Sequence, residues 1–140
     1  MAHEHRIRVR YGETDQMGVV HHANYLLYLE EARTLYMESF GVPYGQLERA
    51  GIGLPVRRCE LRYRAPAHYE DVLTVETRLT RLRGASLTFG YRVRGGEDGA
   101  TLLLEAEIEL ACIDLESHRP RLLPEELAAR VEELLEPEGP

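Results

Sequence analysis

The sequence predicts an α+β domain: an antiparallel sheet of about five strands wrapped around one long helix, with a further helix at the C-terminus. Three observations lead there. Segments in the second half of the chain alternate apolar and polar residues with a period of two, the mark of half-buried strands. One early segment, 24–40, is apolar around most of a helical circumference. The chain has 140 residues with no repeat and no low-complexity stretch, which suits a single domain over 1–140. A helix apolar over so wide an angle must be enclosed, and with one antiparallel sheet available the sheet has to enclose it.

Residues 5–11 open the chain as a strand, with Ile7, Val9 and Tyr11 on one side and Arg6, Arg8 and Arg10 on the other. A loop containing Gly18 spans 15–23. Asn24 is placed to cap the helix, Gly41 to stop it, and Pro43 follows. Glu30, Glu31, Arg33 and Glu38 share the small polar part of that helix. Residues 44–51 predict a short helical turn ending at Gly51. Four strands follow. Cys59, Leu61 and Tyr63 face inward on the first, Leu73, Val75 and Leu79 on the second. Leu87, Phe89, Tyr91 and Val93 face inward on the third, and Leu104 to Cys112 alternate on the fourth. Each is expected to have one buried and one wet face. Arg83-Gly84 and residues 95–99 are hairpin turns. Pro124 begins a last helix with an apolar stripe of Leu127, Val131, Leu134 and Leu135, ended by the stretch 136–140.

The net charge of −7 argues against a general nucleic-acid binder or a binder of anionic membranes. All the basic residues are arginine. Arg57, Arg58, Arg62 and Arg64 cluster, as do Arg78, Arg81 and Arg83. They are either solvated strand faces or a local patch for phosphates. Cys59 and Cys112 lie in apolar runs and are expected as buried free thiols. No apolar run approaches the ~20 residues that span a bilayer, and no charged leader precedes an apolar stretch. The expectation is a soluble, cytoplasmic protein with no nucleic-acid partner and no stable membrane insertion.

The chemistry concentrates between Tyr11 and Tyr25. This run holds a carboxylate, Asp15, a flexible Gly18 and a polar approach to an apolar helix. An Asp before a helix lies in the positive field of its N-terminus. Such a carboxylate can attack a carbonyl or activate water while backbone N–H groups hold the developing oxyanion. The bland alternative is a turn-forming Asp. Glu13 is a rival carboxylate, more simply read as a solvated charge at a strand end. Gly18 permits the turn that aims N–H groups inward. His21 and His22 are adjacent and are expected to point apart. Zinc needs three or four convergent ligands, and neither the six histidines nor the two cysteines are spaced for it, so no metal or other cofactor is expected. No P-loop and no G-x-S-x-G elbow is present.

Tyr11, Thr14-Asp15, Gly18-Val19-Val20, His22, Asn24-Tyr25 and Glu30-x-Ala32-Arg33 together resemble the signature of hotdog-fold acyl-CoA thioesterases. The branch is that of 4-hydroxybenzoyl-CoA thioesterase, which includes bacterial thioesterases associated with the Tol–Pal system. The likeness continues more weakly through Pro66-Ala67-x-x-x-Asp71-x-Leu73 and Arg83-x-x-x-Leu87. It implies hydrolysis of acyl-CoA to free acid and CoA. Asp15 would be nucleophile or general base, and the His22 N–H the oxyanion donor, with the His22 side chain orienting substrate or water. Tyr11, Gly18 and Val20 would line the substrate site. Arg83, Gly84, Ala85 and Ser86 would follow the pantetheine arm, and Val56 beside Leu54 and Pro55 would wall the acyl pocket. The resemblance also implies a homodimer or homotetramer with sites at the dimer interface. Physically, one sheet around one helix leaves an edge strand and a groove that a second copy can close. Two alternatives stay open: a non-catalytic acyl-CoA-binding or sensor domain, and a hotdog hydrolase acting on acyl carrier protein.

Overall fold

A computed structural model describes residues 2–136. In chain order the elements are β1 (His3–Arg8), a 3-10 turn (Tyr11–Glu13), α1 (Asn24–Ser39), α2 (Tyr44–Arg49), β2 (Ile52–Gly53) and β3 (Val56–Tyr63). They continue with β4 (Val72–Arg83), β5 (Ser86–Gly95), β6 (Thr101–Ala111), β7 (Ile113–Asp114) and α3 (Glu125–Leu134). Five strands form one antiparallel sheet in the order β1-β4-β5-β6-β3. The short β2 and β7, not foreseen from the sequence, pair with each other. Residues 137–140, expected to end the last helix, lie outside the described residues.

The period-two pattern works as expected along most of β4 and β6, whereas on β5 residues 87–91 are buried on both faces, Thr88 and Gly90 included. Leu73, Val75, Leu79, Phe89, Val93, Leu104 and Leu110 are fully buried on the face that carries α1. From the helix, Leu29, Ala32 and Met37 fill the same core. Each buried Leu, Val, Phe or Met side chain stabilises by ~2 kcal/mol when removed from water. The opposite face of the sheet carries a lattice of ion pairs, Arg58–Glu107, Arg64–Glu105 and Arg94–Glu76 among them.

Four expectations need correction. The first strand ends at Arg8: the Val9 N–H bonds the Asp71 carbonyl, and the 3-10 turn then carries Tyr11 out to 77% exposure against the edge of Tyr69. Tyr11 is not a core residue. Asn24 is not the cap. Ala23 takes that position, and the Asn24 amide donates instead to the Glu13 carbonyl at 2.9 Å. The helix is not enclosed all round: Leu26 and Leu27 are 40% and 59% exposed, whereas Arg33, assigned to the polar side, is buried with its guanidinium donating to the Tyr91 hydroxyl. Finally, β3 is an edge strand that is largely exposed: Leu61 packs partly against the core, but Cys59 is exposed and only Cys112 is buried. Alternation weakens on β3 because this chain covers only part of its inner face, around Leu61 and Tyr63.

Candidate active site

The Asp15 segment folds into a small ladder against the start of α1. The Asp15 N–H bonds the Val19 carbonyl at 2.9 Å, Thr14 bridges Val20, and the His21 N–H bonds the Glu13 carbonyl at 2.9 Å. Gly18 turns the ladder with φ +78°, a conformation side-chain-bearing residues rarely adopt. Val20 is buried, its N–H bonded to the Ala67 carbonyl, and Val19 bridges His68. The loop is thereby fixed to the segment that leads into β4.

Within this ladder the Asp15 side chain is exposed and held. Its Oδ1 accepts from the Met17 N–H at 2.8 Å and, at longer range, from the Val19 N–H at 3.4 Å. Its second oxygen has no protein partner among the described residues. Asp15 is therefore a turn-forming residue whose carboxylate keeps one free oxygen. Glu13 is not a solvated charge. Its carboxylate accepts from the Arg10 N–H at 2.8 Å and from the Tyr28 hydroxyl at 2.9 Å. Burial first, then the hydrogen bond to Glu13 and the Glu13 charge, push the Tyr28 phenol well above the ordinary tyrosine range. Glu13 is thus a structural anchor of the loop on α1.

His21 and His22 do not point apart; their rings stack at 4.2 Å. The His21 Nδ1 accepts the Ala23 N–H at 3.2 Å, and the Asn24 N–H bonds the His21 carbonyl. Among the described residues nothing accepts from the His22 N–H. The His22 carbonyl takes a hydrogen bond from the Tyr63 hydroxyl at 3.0 Å. Tyr63 and the Glu13–Tyr28 pair are site elements that sequence reasoning missed. Tyr63 lies 41 positions from His22 and Tyr28 lies 15 from Glu13, so no local spacing announces either contact.

The remaining expected residues lie elsewhere. In the ladder of strands Val56 faces Leu110, which faces Leu87, while Tyr63 faces Leu104, which faces Val93. Val56, Arg83, Gly84, Ala85 and Ser86 therefore share the end of the sheet opposite the Asp15 loop. The twelve residues of β4 separate the two ends by about 35 Å. One chain brings together Asp15, Gly18, Val20 and His22, with Tyr11 on the preceding turn. It brings together Val56 and the 83–86 turn, but not the two groups. The Ala85 carbonyl is taken by the Cys112 N–H at 2.7 Å, and Gly84 turns with φ +53°.

The arginine clusters separate by pairing. Arg57 meets Glu109, Arg58 meets Glu60 and Glu107, and Arg62 meets Glu60. Among the described residues Arg78, Arg81 and Arg83 have no ion-pair partner. No three His, Cys, Asp or Glu side chains among the described residues converge as metal ligands. No described helix is long and apolar enough to cross a membrane.

A free carboxylate oxygen and an unused backbone N–H at the start of a helix are equipment for acyl transfer. The comparisons with known proteins agree. Residues 9–131 match the model of the thioesterase-like superfamily. The acyl-CoA thioester hydrolase YbgC of Escherichia coli O6:H1 is 37% identical over 88% of this chain and 90% of its own. The putative acyl-CoA thioesterase YneP of Bacillus subtilis is 36% identical over 81% of each. The crystal structure of the hypothetical protein TT1821 from Thermus thermophilus superposes with a TM-score of 0.87 at 40% identity, covering 96% of this chain and 98% of that one. By its sequence, its sheet order and the helix that its sheet carries, the chain belongs to the thioesterase-like superfamily and is a thioesterase of the hotdog fold.

Proposed function

We propose that the protein hydrolyses acyl-CoA thioesters, with Asp15 as the carboxylate that acts on the thioester carbon and the His22 N–H as donor to the oxyanion. The supporting observation is the ladder that fixes both on one loop: Asp15 keeps a free carboxylate oxygen and His22 an uncommitted N–H. Asp15 either attacks the carbonyl, giving a mixed anhydride and releasing the CoA thiolate, after which water hydrolyses the anhydride to the free acid and restores the carboxylate, or takes a proton from the attacking water. In both routes negative charge develops on the carbonyl oxygen, and a fixed N–H stabilises it without reorganising. The His22 ring, exposed and stacked on His21, orients substrate or water.

The working unit in this reading is a homodimer. The edge strand β3 is eight residues long and open, and Leu26, Leu27 and Met17 are exposed near the same end. A twofold axis through the middle of β3 pairs it with itself antiparallel. That pairing lays Val56 of the partner subunit against the Tyr63 end, with the partner's Arg83 to Ser86 turn beside it. The two halves of the site, separated within one chain, then meet across the dimer. Pantetheine passes Gly84, Ala85 and Ser86, Val56 walls the acyl pocket, and Tyr11 and Val20 line the Asp15 side. Among the arginines first considered for CoA phosphates, Arg83 is favoured because Arg57, Arg58 and Arg62 are already neutralised by glutamates.

The test is turnover of a panel of acyl-CoAs by the wild type and by Asp15→Asn. The variant is expected to keep its fold and lose well over tenfold in kcat, since the change removes a whole route and not one contact. Retention of more than about a tenth of wild-type kcat, a loss under about 1.4 kcal/mol, would remove Asp15 from the chemistry.

A further inference from the structure

We infer that Tyr63 is a positioning residue for the reaction: from the edge strand of the sheet its hydroxyl holds the start of α1 in the geometry that the oxyanion donor requires. The inference rests on the reading of the His22 N–H as that donor.

The Tyr63 hydroxyl donates to the His22 carbonyl at 3.0 Å. That carbonyl lies just ahead of α1, and the helix does not use it, because the Leu26 N–H goes to the Ala23 carbonyl at 3.3 Å. Tyr63 supplies the missing donor from another element. Its ring stands edge-on to Tyr25 at 5.5 Å and 75°. The Tyr25 hydroxyl accepts from the Ala67 N–H at 3.2 Å, and the Ala67 carbonyl accepts from the Val20 N–H at 2.8 Å. Two tyrosines and one residue, Ala67, therefore tie together the end of β3, the start of α1 and the Asp15 loop.

Core packing does not explain this tyrosine. The residue is 51% exposed, and phenylalanine would make the same edge contact with Tyr25. The hydroxyl makes one hydrogen bond, and that bond goes to the peptide adjoining the donor residue. An oxyanion donor works only when its N–H is held about 3 Å from where the charge will sit, so loosening the neighbouring peptide should tax the transition state more than ground-state binding. Tyr63 is also the last residue of β3. A partner pairing with that strand acts directly on the residue that sets the donor, so association and catalytic readiness are coupled.

The test compares Tyr63→Phe with wild type by steady-state kinetics, sedimentation and backbone amide exchange. Expected are a fall in kcat of roughly tenfold, KM within about twofold, unchanged mass, and faster exchange of the hydrogen-bonded amides of Ala23 and Asn24. Unchanged kcat overturns the proposal, whatever the exchange shows. Lost kcat with unchanged exchange at 23 and 24 also overturns it, because the loss then does not act through the start of α1. A rise in KM with kcat intact assigns Tyr63 to binding and likewise overturns it. Asp15→Asn run in parallel separates the two readings: an active Asp15→Asn defeats the site assignment, whereas exchange in Tyr63→Phe reports on the brace irrespective of that outcome.

Discussion

Asp15 and Arg83 show how single residues acquire roles from what their neighbours leave unused. Asp15 keeps one oxygen after its turn is satisfied, and Arg83 keeps its whole charge where Arg58 and Arg62 do not. Arg83→Ala should therefore raise KM for acyl-CoA roughly fivefold, about 1 kcal/mol, with kcat unchanged. Acyl-pantetheine, which lacks the nucleotide, should show no such rise, and equal effects on both substrates would contradict a phosphate role. Tyr91 makes a different prediction. Burial, opposed by Arg33, pushes its phenol up to about 12. A free tyrosine ionises near pH 10, so the unfolded chain loses this proton first as pH rises. The stability that Tyr91 contributes is complete below about pH 10 and declines by about 1.4 kcal/mol per pH unit until the folded phenol ionises. Urea midpoints at pH 9, 10 and 11 should converge for wild type and Tyr91→Phe as pH rises. Parallel decline would mean that Tyr91 is not the group responsible.

Elements are set by alternation, and their ends are set by what closes over them. Gly95 ends β5 beneath two buried leucines: an added Cβ would lie 2.8 Å from Leu103 Cδ1 and 2.9 Å from Leu73 Cδ2. Both leucines are essentially inaccessible, so neither can swing away freely. Gly95→Ala should cost about 1–3 kcal/mol by overpacking. Gly12→Ala, where a Cβ meets nothing within 4 Å, should stay within about 0.5 kcal/mol. Chemical denaturation of both variants distinguishes overpacking from a general intolerance of alanine for glycine. The same principle explains α1. Its apolar excess was legible in the sequence, but which side met the sheet was not, because Leu26 and Leu27 have the same chemistry as Leu29.

At the scale of the whole molecule, an open eight-residue edge and a site divided between two ends of one sheet require a second copy in the proposed mechanism. Sedimentation at micromolar concentration should find a dimer or a tetramer, and a folded, active monomer would refute the arrangement. Cys59 offers an independent reading. It is exposed on β3 in the single chain, while Cys112 is buried and its thiol is pushed up by that burial. Alkylation of Cys59 should slow as protein concentration rises through the dissociation constant, and Cys112 should react only on unfolding. A Cys59 rate independent of concentration would place the interface elsewhere.

The five strands of the main sheet, the long helix, the turns at Gly18 and Gly84 and the superfamily were legible in the residues alone, because periodicity, glycine and a dense local motif are read within short windows; the short β2–β7 pair was not. The sequence also placed Asp15 and His22 on one loop, since seven positions of chain hold them there. Packing in three dimensions sets the rest: Tyr11 leaves the core, Arg33 enters it, Glu13 anchors Tyr28 and Tyr63 reaches His22. Those outcomes depend on which surfaces the sheet covers and on partners many positions away. The separation of Val56 and Arg83 from Asp15 is of the same kind. It follows from strand order, and residues 56 and 83 carry no local sign of which end of the sheet they will occupy.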